Sequence, residues 1–200
     1  MKFRKLHLVP KGVSGGVLTV EMLSVTIAVV LGFMVNEWRE GIHESRQADT
    51  ALLSIKEELQ RNRDGLSDRM PYYEQVATIL DSLVTVDGAA PVSGSSIPGW
   101  QGFRPPVLSE ASYEAASATG ALSHMDFAVV SEVAMAYLAQ DLVRNTFDWT
   151  LQAYVSGQLE TWVDARRVFH LFHEVSQAGV ETYDLVLADL SARVPEEKAQ

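Results

Sequence analysis

The fold of this chain is decided by residues 13–35, VSGGVLTVEMLSVTIAVVLGFMV, a run in which Glu21 is the only charged residue. At about 1.5 Å per residue, a helix of this length reaches about 34 Å, and the hydrocarbon core of a bilayer is about 30 Å thick. The run is longer than the apolar part of a usual secretory signal, and Val35-Asn36-Glu37-Trp38 lacks the small residues of a cleavage site. The sequence therefore predicts a retained transmembrane helix.

The charge on the two sides of this run is uneven. Residues 1–12 carry four basic side chains and no acidic one, whereas residues 36–200 carry 12 basic and 25 acidic side chains, a net charge of −13. Because cytoplasmic flanks of membrane spans are enriched in Lys and Arg, we expect a cytoplasmic basic tail at 1–12. Residues 36–200 should then lie in the periplasm of a bacterium, with Trp38 anchoring the outer end of the span at the membrane interface.

Composition and spacing argue against several classes of function. An acidic domain repels the phosphate backbone, so we expect no nucleic-acid partner. The chain has no cysteine, which excludes disulfides and thiolate metal sites. The order His170, His173, Glu174 fits no zinc-hydrolase motif, and Glu110 and Asp126 lie where predicted helices begin. We therefore expect no catalytic residue, no metal and no cofactor.

A stripe of small and polar residues follows one side of the predicted span. Helical steps of three and four residues join Glu21, Ser24, Ala28, Gly32 and Asn36. One interpretation is that this stripe packs against another membrane helix, because small residues permit close approach and an ionised carboxylate in hydrocarbon costs about 2.5–3.5 kcal/mol unless it is paired. The other is that the stripe is a coincidence of composition, with the acid near the headgroups. The sequence leaves both open.

Apolar residues at helical spacing continue beyond the span and predict an all-α protein. Residues 36–86 are interpreted as juxtamembrane helices with a break near Pro71, because the residue before a proline avoids helical geometry. Residues 109–194 are interpreted as a small helical bundle, and 195–200 as a charged tail. No alternating pattern favours strands.

Within the predicted bundle, Gly120 should end a first short helix that Ser109 caps, and Asp126 should cap the next. In that next helix we expect a buried face formed by Phe127, Val130, Val133, Tyr137 and Leu138. Two further helical patterns cover 147–172, with Gly157 as an interruption, and 183–194.

A long loop, DGAAPVSGSSIPGWQGFRPPVL at residues 87–108, separates the two helical regions. Its density of Gly, Pro and Ser is typical of irregular structure. Trp100 and Phe103 are unusual in such a loop, because large aromatic side chains are costly to leave in water. They either pack into the core of the domain or contact a partner or the membrane surface.

Two stretches resemble an uncharacterised family of bacterial single-span inner-membrane proteins. The first is GGVLTVEMLSVTIAVVLGFMVNEWRE followed by ALLSIKEELQRN, which matches an acid-led apolar helix, an Asn-x-Trp exit and a helix with Glu-Leu-x-x-Asn. The second, SYEAASATGALSHMDFAVV, is similar to an aromatic-Glu-x-Ala-x-x-Thr-Gly-Ala segment. The resemblance implies the topology above and carries no activity. The residues that match are Glu21, Asn36, Trp38, Glu58, Leu59, Asn62, Tyr113, Glu114, Ala116, Thr119, Gly120 and Ala121.

The functional expectation that follows is a non-catalytic accessory, scaffold or assembly subunit of a larger inner-membrane complex, of the respiratory or photosynthetic kind. Its partners would be the lipid bilayer and other integral membrane subunits. Two alternatives stay open: a membrane-anchored periplasmic enzyme or ligand sensor with an unrecognised site, and a self-assembling homo-oligomer.

Overall fold

The computed structural model describes residues 15–91 and 97–193, with side chains from residue 22 onward. The predicted tails at 1–12 and 195–200, the side chain of Glu21 and part of the 87–108 loop lie outside the described residues. The prediction of an all-α fold is confirmed. The helices are α1 (Gly15–Ser67), α2 (Met70–Asp87), α3 (Ala111–Ala118), α4 (Phe127–Val155) and α5 (Trp162–Arg193), with a short 3₁₀ helix at Ala121–His124.

The chain divides into two compact units, 1–45 and 46–200. In the first unit, the large apolar side chains from Met22 to Val35 are 50–71% exposed. This part of α1 is long and apolar enough to cross a membrane, and none of its apolar window is buried in protein. A core helix of a soluble domain would be covered by protein, and this part of α1 is not.

The junction between α1 and α2 follows from Pro71. The N–H of Arg69 donates to the carbonyl of Leu66, which tightens the last turn, and α2 then begins with Pro71 in its first turn. Proline is tolerated there because first-turn N–H groups have no partner within the helix. The predicted break near this residue is confirmed.

The second unit packs the part of α1 after residue 45 together with α2, α4 and α5 around one core. Leu59 of α1 and Tyr73 of α2 are as fully buried as Phe172 of α5. The predicted division between juxtamembrane helices at 36–86 and a separate bundle at 109–194 therefore does not hold. The apolar face of 46–86 supplies nine of the 27 buried residues in the core of the described chain.

Helix boundaries in the second half are set by single residues. Gly120 adopts φ 76°, a left-handed conformation that ends the turn after α3, and the Asp126 carboxylate accepts from the N–H of Ala128 at the start of α4. Both predictions are confirmed. The predicted division into patterns at 127–138, 147–172 and 183–194 is wrong, because α4 and α5 are two long helices with Gly157 (φ 73°) between them.

The described end of the loop, residues 97–110, lies on the bundle. Trp100 packs edge-on against Phe169 with ring centroids 5.5 Å apart, and Phe103 stacks on the same ring at 6.0 Å. The hydroxyl of Tyr72 donates to the carbonyl of Gly102 at 2.6 Å. Of the two alternatives for Trp100 and Phe103, the structure shows packing against the domain's own core, so a partner contact through them is not proposed.

Candidate functional site

A mostly buried cluster of polar side chains joins three helices to the segment that enters α3. We call it the polar clamp. Buried polar groups are retained only where they are hydrogen-bonded, so such a cluster is a first candidate for chemistry. Its members are Glu58 and Asn62 of α1, Ser109 and Ser112 before and within α3, Tyr137 and Gln140 of α4, and Tyr183 of α5.

The Glu58 carboxylate is the charged centre of the clamp and is 1% exposed. One oxygen accepts from the Tyr137 hydroxyl at 2.6 Å, and the other accepts from the Ser109 hydroxyl at 2.7 Å and the Ser112 N–H at 3.0 Å. Burial alone would raise the pKa of Glu58, but these donors outweigh it, so the pKa lies below its usual value. The carboxylate is therefore ionised and fully engaged.

The amide of Asn62 holds the same segment one helical turn further along α1. Its oxygen accepts from the Ser109 N–H at 2.9 Å, and its nitrogen donates to the Ser109 carbonyl at 2.7 Å and to Gln140 Oε1 at 2.8 Å. The Tyr183 hydroxyl donates to the same Gln140 oxygen at 2.9 Å. Burial raises the pKa of Tyr183, so its proton stays in place at neutral pH.

The clamp holds the backbone at the start of α3, because Glu58 accepts from the Ser112 N–H and Asn62 accepts from the Ser109 N–H. Glu58 satisfies an N–H in the first turn of α3 from another helix, a position where negative charge is also favoured. Tyr113 of α3 stacks on Tyr137 at 4.6 Å, and Gln47 donates to the Thr119 carbonyl at the other end of α3. Both oxygens of Glu58 accept hydrogen bonds from donors within the protein.

The two stretches that carry the family resemblance meet in this clamp. Glu58 and Asn62 come from the first stretch, and Ser112 and Tyr113 from the second. Within this chain, the first stretch supplies the Glu58 carboxylate, and the second supplies the N–H of Ser112 and an aromatic ring that covers Tyr137. Sequence reasoning missed this pairing because the partners lie about 50 residues apart.

One of the two histidines considered as metal ligands, His170, has another partner. His170 Nε2 lies 3.2 Å from Asp81 Oδ1, and Arg166 Nε lies 2.6 Å from the same oxygen, which ties α5 to α2. The hydrogen bond from His170, with that from Arg166, lowers the pKa of Asp81. Across residues 22–91 and 97–193, no group of three or more His, Asp or Glu side chains is placed to hold a metal ion.

The predicted buried face of α4 is only half right. Val133 and Tyr137 are buried, but Phe127 is 85% and Leu138 71% exposed. The error arises because α4 carries apolar residues on both sides, so periodicity alone cannot tell which side faces the core. The exposed side forms an apolar surface that we call the α4 stripe: Phe127, Met135, Leu138, Leu142 and Trp149.

The α4 stripe has no counterpart on the other helices of the domain. Among described residues from 46 onward, eleven large apolar side chains are exposed, and eight of them belong to α4. Positions on the exposed sides of α1, α2 and α5 are instead mostly charged or polar, such as Glu57, Thr78 and Glu181. Between Phe127 and Trp149 the centre of the stripe contains no charge, since Ser131, Ala134 and Asn145 fill the intervening exposed and half-exposed positions.

The residues predicted to pack within the membrane lie in the first unit. Ala28, Gly32, Asn36 and Trp38 are exposed on α1, and a Cβ added to Gly32 would meet no atom within 4 Å. Ser24 is exposed on the same helix. Packing of the span against another membrane helix through its small and polar residues stays a prediction, and so does the anchoring role of Trp38.

No family model matches this chain, and neither a curated protein nor a solved structure does so.

Proposed function

We propose that this chain is a non-catalytic accessory or scaffold subunit of a bacterial inner-membrane assembly, anchored by one helix with its helical domain in the periplasm. The α4 stripe carries the proposal. Large exposed apolar surfaces on a soluble domain mark contacts with other molecules, because water around them is released on binding. Here this surface lies on one helix of a domain whose other exposed helix faces are mostly polar.

Two further observations support a membrane-bound, binding role. The exposed apolar part of α1 fits a span, and the four basic side chains before it favour a cytoplasmic N-terminus. The buried carboxylate of the domain, Glu58, is committed to holding α3, which favours a structural over a catalytic use of the interior. A periplasmic enzyme or sensor would need a catalytic or ligand-binding site built from residues other than Glu58.

Native gel electrophoresis of detergent-solubilised membranes tests the proposal. The parent chain should migrate in a discrete band heavier than two copies of the 22.0 kDa chain. Leu138→Asp should shift it to lower mass, whereas Leu185→Asp should not, because Leu185 is an equally exposed leucine (74%) on the polar side of α5. A parent chain that runs alone as a monomer contradicts the accessory-subunit proposal.

Protease accessibility tests the topology. In spheroplasts, added protease should digest the 46–200 unit, and in inverted membrane vesicles the same unit should be protected until detergent is added. The charge asymmetry across the span is the physical reason. Protection in spheroplasts would overturn the periplasmic placement.

A further inference from the structure

We propose that the α4 stripe is the contact between two copies of this chain, related by a two-fold axis that passes close to Leu138. The inference deepens the proposed function and rests on it, because it names the first partner of the scaffold as a second copy of itself. Three properties of the stripe support it: its area, its symmetry and its lack of charge.

The area of the stripe suits a specific protein contact. Its five side chains are between 55% and 85% exposed. Together they present about 700 Å² of surface, close to the roughly 800 Å² that each partner contributes to a standard interface. Trp149 and Phe127 are of the aromatic type that supplies most binding energy at such contacts.

The stripe is self-complementary. Phe127 and Trp149 each lie eleven residues from Leu138, so the stripe is centred on that leucine. An isologous contact pairs a surface with itself, and a two-fold-related copy therefore brings Leu138 against the partner's Leu138, whichever direction the partner's helix runs. If the helices are antiparallel, residues on the same edge of the stripe face each other, so Leu142 meets the partner's Met135, and Asn145 lies close to the partner's Ser131 near the centre line.

Charge selects this face for self-association. A domain with a net charge of −13 from residue 36 onward repels its own copies wherever acidic side chains meet. The centre of the stripe is uncharged, and Asp141 and Asp148 lie along one edge only. Anchoring both copies in one membrane raises their effective concentration, so a contact of modest intrinsic affinity is sufficient.

Cysteine crosslinking in native membranes tests this contact. The chain has no cysteine, so one introduced residue provides the only thiol. Leu138→Cys should form a disulfide-linked dimer on mild oxidation, at least tenfold faster than Leu185→Cys, the matched exposed leucine on α5. Adding Leu142→Asp to the Leu138→Cys chain should lower that rate at least tenfold, because it places a carboxylate against the partner's apolar stripe.

The controls separate this contact from one made by the spans and from failure to fold. Far-UV circular dichroism of each purified full-length variant should match the parent, since Leu138, Leu142 and Leu185 are all exposed. If Leu138→Cys crosslinks no faster than Leu185→Cys, or if Leu142→Asp leaves the rate unchanged, the two-fold contact is wrong. The native gel then decides about the accessory-subunit proposal. If the parent band is heavier than two copies and Leu138→Asp still shifts it to lower mass, that proposal stands, and a different protein binds the α4 stripe.

Discussion

Replacing Glu58 by Gln probes whether the polar clamp depends on charge. The carboxylate accepts three hydrogen bonds, from Tyr137, Ser109 and Ser112. Hydrogen bonds to a charged group contribute about 1.5–3 kcal/mol each and neutral ones about 1 kcal/mol, so neutralising the acceptor weakens each bond. The amide can keep its oxygen toward Ser112 and turn its nitrogen toward the Tyr137 oxygen. We therefore expect Glu58→Gln to lower the free energy of unfolding by about 2 kcal/mol at pH 7.

The pH dependence gives the sharper signature. The folded pKa of Glu58 lies below its usual value, so the unfolded chain takes up the proton first as the pH falls. The stabilisation from the charged clamp is therefore fully present above the ordinary glutamate pKa of about 4.3 and is lost as the pH falls through the folded pKa. The stability difference between the parent and Glu58→Gln should shrink over that acidic window.

Urea unfolding of the full chain in mild detergent, followed by circular dichroism between pH 3.5 and 8, measures both effects. Glu57→Gln is the matched control, because Glu57 is the neighbouring residue, is 74% exposed and makes only a 3.8 Å ion pair with Arg61. Surface changes of that kind usually stay within about 0.5 kcal/mol. Equal stability of the parent and Glu58→Gln at pH 7, or a difference that does not vary with pH, would refute the reasoning.

Four other variants give distinct outcomes. Replacing Trp100 and Phe103 together by Ser should cost about 3 kcal/mol or more in urea unfolding, since both rings pack on Phe169; unchanged stability would mean that the packing is dispensable. Gly179→Val should cost about 1–3 kcal/mol, because even a Cβ there would lie 2.8 Å from a leucine methyl of α1; a neutral result would show that the helices separate easily. Gly32→Leu should reduce the partners that co-purify in detergent, and Glu21→Gln should weaken the association by about 1 kcal/mol; parental association in both variants would leave the span as a simple anchor.

Much of the secondary structure could be predicted because its determinants are local. Pro71 permits a helix to begin but not to continue through it, Gly120 takes a left-handed turn, and Asp126 caps the N–H groups that follow it. Each effect involves residues within one helical turn and is visible in the sequence. The candidate site was harder to predict from the sequence, because exposure of the α4 stripe depends on which side of an apolar helix the rest of the chain covers.

Without any coordinates, the amino-acid sequence indicated an apolar segment long enough to cross a membrane, an uneven charge on its two sides and an all-α chain. It did so because composition and helical period act along the chain, without reference to distant residues. The packing of the folded chain was needed to establish that residues 46–86 belong to the bundle core, that Glu58 holds α3, and that Leu138 faces outward. The reason is physical: burial and hydrogen-bond pairing are settled between segments that are tens of residues apart, and α4 offers apolar surface on both of its sides.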